Sequence, residues 1–113
     1  ILAEIAGLNA PTTTPGGEAV FHLYVAKMDT TKFTCTRDEF CKALGAEGVP
    51  TAVHYPRPLP KQPALSKWDK KDCPVSNKLS TQVFALPMHH DLTDEHFRIL
   101  GEALRKVADA YRK

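Results

Sequence analysis

The feature that most constrains this chain is a cluster of prolines near its middle. The stretch GVPTAVHYPRPLPKQPAL, residues 48–65, holds five of the 9 prolines in the sequence. Proline fixes φ and lacks an amide donor, so it interrupts helices and central strands and orders a loop at low entropic cost. The cluster therefore predicts a long, pre-ordered loop with regular structure on either side of it.

Before the loop, the sequence predicts two helices and two strands. Apolar residues spaced as in a helix, with no capping residue ahead of them, predict that residues 1–8 are the end of a helix that began upstream. Residues 19–28 predict a strand that is central or covered on both faces. Thr36 and Glu39 form the pattern of a capping box and predict a helix start. Residues 51–55, TAVHY, predict a short strand that runs into the proline loop.

After the loop, the order is helix, strand, helix. PVSNKLSTQ predicts a short helix with Pro74 in its first turn, and VFALP predicts a short strand. Thr93 caps the last helix. The apolar stripe of that helix comprises Phe97, Leu100, Leu104, Val107 or Ala108, and Tyr111. This order predicts an α+β fold, with a small, mostly antiparallel three-stranded sheet and helices packed on one face.

Composition restricts the class of protein. A chain of 113 residues predicts a single domain, and a net charge of +2 gives no basic field for nucleic acid. No apolar run approaches the roughly 20 residues that cross a bilayer, so no membrane association is expected. The 3 cysteines without a CxxC pair indicate reduced thiols in the cytoplasm. The spacing of Cys35 and Cys41, and the adjacent His89 and His90, suit no common zinc site, so no metal is expected.

The proline loop carries the candidate binding residues. Its side chains offer donors for phosphate, carboxylate and hydroxyl groups, and the candidates are His54, Tyr55, Arg57, Lys61 and Gln62. The alternative is that the prolines only stiffen an exposed crossing and that Tyr55 packs on the sheet. No self-sufficient catalytic motif such as GxSxG, HExxH or GxGxxG occurs, and Cys41 is expected to act as a small buried hydrophobe.

A longer series of motifs resembles the C-terminal region of the DegT/StrS sugar-nucleotide aminotransferases. These are enzymes that depend on pyridoxal 5′-phosphate (PLP) and have the aspartate aminotransferase fold type I. The order and spacing of the family pattern are kept over about residues 18–108. The matching positions are Gly48, Val49, His54, Tyr55, Pro56, Pro58, Leu59, Gln62, Pro63, Ala64, Pro74, Leu79, Leu86, Pro87, Met88, His89, Leu92 and Thr93.

Two positions depart from the family pattern. Pro60 stands where the family usually has histidine after Pro-Leu, and Leu65 stands where it has an aromatic residue. The version Pro-Leu-x-Lys-Gln-Pro-Ala is similar to that of members acting on UDP-linked 3-keto uronic acid sugars. If the histidine contacts substrate in relatives, that contact is missing here and the sugar preference differs.

The resemblance implies that residues 1–113 form the C-terminal small domain of a larger enzyme, with residues 1–8 ending an interdomain helix. Such an enzyme uses PLP to transfer an amino group, most often from glutamate, to a keto group of a nucleotide-linked sugar. In this family the large domain carries PLP and its lysine, and its motifs are not found in this sequence. The resemblance therefore implies no catalytic or cofactor-binding residue here and predicts that the isolated chain is inactive.

In this interpretation the loop residues His54, Tyr55, Arg57, Lys61 and Gln62 bind substrate, and the enzyme is a homodimer. About 250 or more further residues are expected upstream, at the usual size of such a partner domain. The apolar residues at positions 1, 2 and 5 are then expected to be exposed or engaged in self-association. The alternative is a stand-alone α+β module that binds an anionic ligand or a protein partner through the same loop.

Overall fold

The computed structural model of the chain describes residues 1–68 and 72–113. Its strands are β1 (Leu8–Asn9), β2 (Tyr24–Met28) and β3 (Val83–Leu86), and its helices are α1 (Arg37–Ala46), α2 (Pro74–Ser80) and α3 (Asp94–Tyr111). The three strands form one antiparallel sheet in the order β1-β2-β3. The predicted α+β class with a three-stranded antiparallel sheet is confirmed.

The hydrophobic core lies on one face of this sheet. Ala26 of β2 pairs with Phe84 of β3, and both side chains are fully buried in the core. Helices α1 and α3 pack against one another over this face, and α1 also contacts β3. Phe40 of α1 stacks edge-on against Phe33, with ring centroids 5.5 Å apart, and lies 5.9 Å from Phe84. The central position predicted for the strand before α1 is confirmed, although that strand begins at Tyr24.

Both predicted helix caps are present. The Thr36 hydroxyl accepts from the Glu39 N–H at 3.3 Å, and the Glu39 carboxylate accepts from the Thr36 N–H at 2.7 Å. At the start of α3, His96 takes the place of the usual Glu or Gln, and its Nδ1 accepts from the Thr93 N–H at 3.0 Å. These reciprocal bonds satisfy amides that the first helical turn leaves without partners.

The helix predicted for residues 1–8 is wrong. Residues Leu2–Glu4 make a single 3₁₀ turn, and the chain has entered β1 by Leu8. Gly7 explains the change, because its φ of +92° is not helical and a Cβ there would lie 2.6 Å from the Phe33 ring. Residues 1–8 therefore form a turn that leads into the sheet instead of the end of a helix, and their interdomain position stays a prediction.

The exposure predicted for the first apolar residues is also mostly wrong. Leu2 is 6% exposed and Ile5 is 3% exposed, and both belong to the core, whereas Ile1 is 40% exposed. A spacing of three, from Leu2 through Ile5 to Leu8, places all three side chains against the core without an α-helix. Leu2 and Ile5 are therefore buried in the core of the chain and are not available for self-association.

The strand predicted for residues 51–55 is reduced to a single bridge, between Ala52 and Ala85. Further along the free edge of β3, the backbone carbonyl of Val83 accepts from the Arg37 side chain instead of from a strand. The chain therefore leaves the sheet directly after Ala52 and enters the proline loop.

Candidate functional site

A groove of about 900 Å³ lies on the sheet face opposite α1 and α3. Val25 of β2 and Val83 of β3 form its floor, since their side chains alternate with those that enter the core. The proline loop forms one wall, and α2 forms the other, with Ser76 and Ser80 among its lining residues. The volume lies within the range of about 300–1,000 Å³ that small-molecule sites occupy.

Local hydrogen bonds give the loop a defined shape. Two consecutive 3₁₀ turns, Leu59–Lys61 and Pro63–Leu65, each have a proline at the first or second position. The Gln62 side chain also donates from Nε2 to the carbonyl oxygen of Arg57 at 2.9 Å, which closes the first part of the loop. Because its φ angles are fixed by proline and its turns bond internally, the loop loses little conformational entropy when a ligand binds.

Four of the five predicted binding residues come together in the groove. His54, Tyr55, Arg57 and Gln62 line it, whereas Lys61 is exposed on the 3₁₀ turn outside the lining. The rings of His54 and Tyr55 meet edge to face, with centroids 5.8 Å apart and planes at 80°. Tyr55 is 73% exposed, so the alternative in which it packs on the sheet is wrong.

The groove suits an anionic, hydroxyl-bearing ligand. Among the described residues that line it, Arg57 alone carries a permanent charge, and none is acidic. A guanidinium forms paired hydrogen bonds with phosphate or carboxylate oxygens. The Tyr55 hydroxyl, the Gln62 amide and the hydroxyls of Ser76 and Ser80 add neutral donors and acceptors around it.

Sequence reasoning did not identify Arg37, which is 5% exposed at the start of α1. Its Nη1 donates to the Val83 carbonyl, its Nη2 donates to the Ser80 carbonyl at 3.1 Å, and its Nε contacts Asp38 at 2.6 Å. A cation in the first turn of a helix opposes the helix dipole. Because an arginine is unfavourable in the first helical turn, its presence at position 37 indicates that its side chain bonds to a partner outside the helix.

The cysteines do not form a second site. All three thiols are free, and burial raises the pKa values of the Cys35 and Cys41 thiols, which disfavours the reactive thiolate. Cys41 packs against the core as a small hydrophobe, although its side chain is only partly buried and not fully buried as predicted. In the part of the chain that the structure describes, no three His, Cys, Asp or Glu side chains are grouped to hold a metal ion. None of the helices in those residues has the length and the apolar character that crossing a membrane requires.

Residues 1–105 match the family model of the DegT/DnrJ/EryC1/StrS aminotransferases, and the chain belongs to that family. It is 40% identical over 98 residues to the UDP-2-acetamido-2-deoxy-3-oxo-D-glucuronate aminotransferase of Pseudomonas aeruginosa. That alignment covers 87% of this chain and 25% of the Pseudomonas protein. It is 28% identical over 99 residues to the dTDP-3-amino-3,6-dideoxy-alpha-D-galactopyranose transaminase of Aneurinibacillus thermoaerophilus, covering 88% of this chain and 26% of that protein.

A solved structure of the same fold is S. venezuelae DesV in complex with a ketimine intermediate. The TM-score is 0.80 and the sequence identity is 29%, and the match covers 96% of this chain and 28% of that one. The chain thus spans about a quarter of the length of these relatives. The family assignment made from the motif series is confirmed.

Proposed function

We propose that this chain is the C-terminal small domain of a PLP-dependent aminotransferase, and that its groove binds the nucleotide-linked sugar that receives the amino group. The observation that carries the proposal is the convergence of His54, Tyr55, Arg57 and Gln62 on one groove. Family membership supplies the reaction class, and the groove supplies groups that fit a sugar nucleotide.

Within that site, Arg57 binds the diphosphate or a sugar carboxylate by charge-assisted hydrogen bonds. His54 and Tyr55 contact the sugar or the phosphates, and Lys61 binds from outside the groove as a second, weaker cation. The 40% identity to an aminotransferase named for a UDP-linked 3-oxo-glucuronate favours a UDP-linked 3-keto uronic acid sugar as substrate. Glutamate is the proposed amino donor.

The described residues of the groove do not fit PLP itself. The cofactor needs a lysine for its Schiff base and an acidic partner for its ring nitrogen, and the described lining contains neither a lysine nor an acid. We therefore propose that another part of a longer protein holds PLP, and that the 113 residues alone catalyse no transamination. The proposed assembly is a homodimer, and the three free thiols favour the cytoplasm as its location.

The test begins with the full reading frame that encodes this chain, which is expected to contain a PLP-binding lysine upstream. Its product should transfer an amino group from glutamate to a UDP-linked 3-keto sugar, and the 113-residue chain should not. Arg57→Gln should raise KM for the sugar nucleotide about tenfold, because a charge-assisted hydrogen bond contributes about 1.5–3 kcal/mol and partial exposure reduces that gain. kcat should change little, since the contact is present before and during the reaction.

The matched control is Arg98→Gln, which removes an equivalent guanidinium on α3 that bonds only to Glu95 and Glu102 among described residues. Equal effects of the two variants on KM would contradict the assignment of Arg57. A reading frame without a PLP-binding domain, together with binding of UDP by the isolated chain at residues 54–62, would support the stand-alone binding module instead.

A further inference from the structure

The free edge of β3 shows how the chain is directed into the groove. Ala52 and Ala85 exchange both backbone hydrogen bonds, at 3.2 and 2.7 Å, so a fourth strand begins to form along β3. If this antiparallel register continued, the residue two positions after Ala52 would face the residue two positions before Ala85. His54 would then pair with Val83, and its amide would donate to the Val83 carbonyl.

That carbonyl already accepts a hydrogen bond from a side chain at the free edge of the sheet. Arg37 reaches from α1 and donates from Nη1 to Val83, while Nη2 donates to the carbonyl of Ser80 at 3.1 Å. Both partners line the groove, one in its floor and one at the end of α2. An edge carbonyl of this kind needs a donor, and the buried guanidinium supplies it in place of another strand.

We propose that Arg37 is a positioning residue of the substrate groove, an inference that rests on the proposed function of that groove. By occupying the Val83 carbonyl, its side chain ends the strand pairing after Ala52 and directs His54 and Tyr55 out of the sheet and into the groove. By holding the Ser80 carbonyl with the same guanidinium, it fixes the opposite wall. One buried side chain thereby sets the relative placement of the two walls that the ligand contacts.

The test uses the intact protein expressed from its full reading frame, with Arg37→Met as the main variant. Methionine fills similar space but cannot donate, so the Val83 carbonyl becomes free to accept from the His54 amide. We expect hydrogen exchange at that amide, resolved by fragmentation mass spectrometry, to slow at least about tenfold, as for a newly formed backbone bond. KM for the sugar nucleotide should rise about tenfold while kcat changes less than about twofold.

Two further variants keep the proposal refutable. Arg37→Lys keeps the charge but cannot fork between two carbonyls, so it should show the same two changes at smaller size. Arg98→Met is the matched control, which should leave both His54 exchange and KM unchanged. Wild-type His54 exchange in the folded Arg37→Met variant would overturn the proposal. If the methionine variant does not fold, wild-type values of both His54 exchange and KM in the folded lysine variant would overturn it. The exchange measurement needs no ligand, so it is independent of whether the groove binds a sugar nucleotide.

Discussion

Replacing Phe40 with alanine tests the claim that one aromatic cluster joins the helices to the sheet. Phe40 is fully buried on α1 and contacts Phe33 at 5.5 Å and Phe84 at 5.9 Å between ring centroids. Truncating a buried Phe to Ala removes its transfer energy and leaves a cavity, at a cost of about 3–5 kcal/mol. Because two aromatic contacts are lost as well, we expect about 4 kcal/mol here.

That loss is large for a chain of this size. At about 0.05–0.15 kcal/mol per residue, 113 residues give an unfolding free energy of about 6–17 kcal/mol. Losing about 4 kcal/mol should lower Tm by about 16 °C, at about 4 °C per kcal/mol. Urea unfolding followed by circular dichroism measures the free energy directly, and an unchanged m-value would show that the same surface is exposed on unfolding.

The matched control is Phe97→Ala, the same chemical change on α3. Phe97 is 44% exposed, so its removal leaves no enclosed cavity and should cost about 1 kcal/mol or less. A loss at Phe40 no greater than the loss at Phe97 would refute the reasoning, because it would mean that burial in this cluster contributes nothing beyond partial coverage.

Two other perturbations follow from the structure. Gly7→Ala should destabilise the chain by about 1–3 kcal/mol in the same urea assay, because φ is +92° and the new Cβ would lie 2.6 Å from the Phe33 ring; an unchanged midpoint would contradict this account. Hydrogen bonds from the Thr36 backbone N–H and hydroxyl lower the pKa of Glu39, so its stabilising contribution is full above the ordinary glutamate pKa and is lost as pH falls through the depressed value. Glu39→Gln should therefore weaken the acid dependence of stability, and identical pH profiles would count against the capping box.

The elements that the sequence predicted correctly are those whose signals are local. Thr36 and Glu39 lie three residues apart, and the side chain of each accepts from the backbone N–H of the other. The start of α1 can therefore be predicted from four consecutive residues. The helix prediction for the N-terminal segment failed because apolar residues three positions apart are compatible with a 3₁₀ turn as well as with an α-helix. β1 has only two residues, and its pairing with Met28 depends on a contact that no local pattern records.

In the candidate site, too, the residues with a local sequence signal were predicted and those placed by non-local contacts were not. The proline cluster marked the loop, and His54, Tyr55, Arg57 and Gln62 were predicted because they belong to it. The opposite wall comes from α2, and its residues meet the loop only after the sheet has formed. Arg37 is more remote still, since its role depends on two carbonyls more than forty positions away along the chain.

The way the loop closes its own hydrogen bonds has a consequence for how such a site changes during evolution. The amide of Lys61 donates to the carbonyl of Pro58 at 2.9 Å, and that of Ser66 donates to the carbonyl of Pro63 at 3.1 Å. These hydrogen bonds lie within the loop and do not involve the sheet. The Tyr55 and Leu59 side chains, at 73% and 72% exposed, hold no part of the core. Under the proposed function, substitutions there would alter which sugar is accepted while leaving the folding free energy nearly constant. Selection can therefore explore new ligands on this loop without first accumulating stabilising mutations elsewhere.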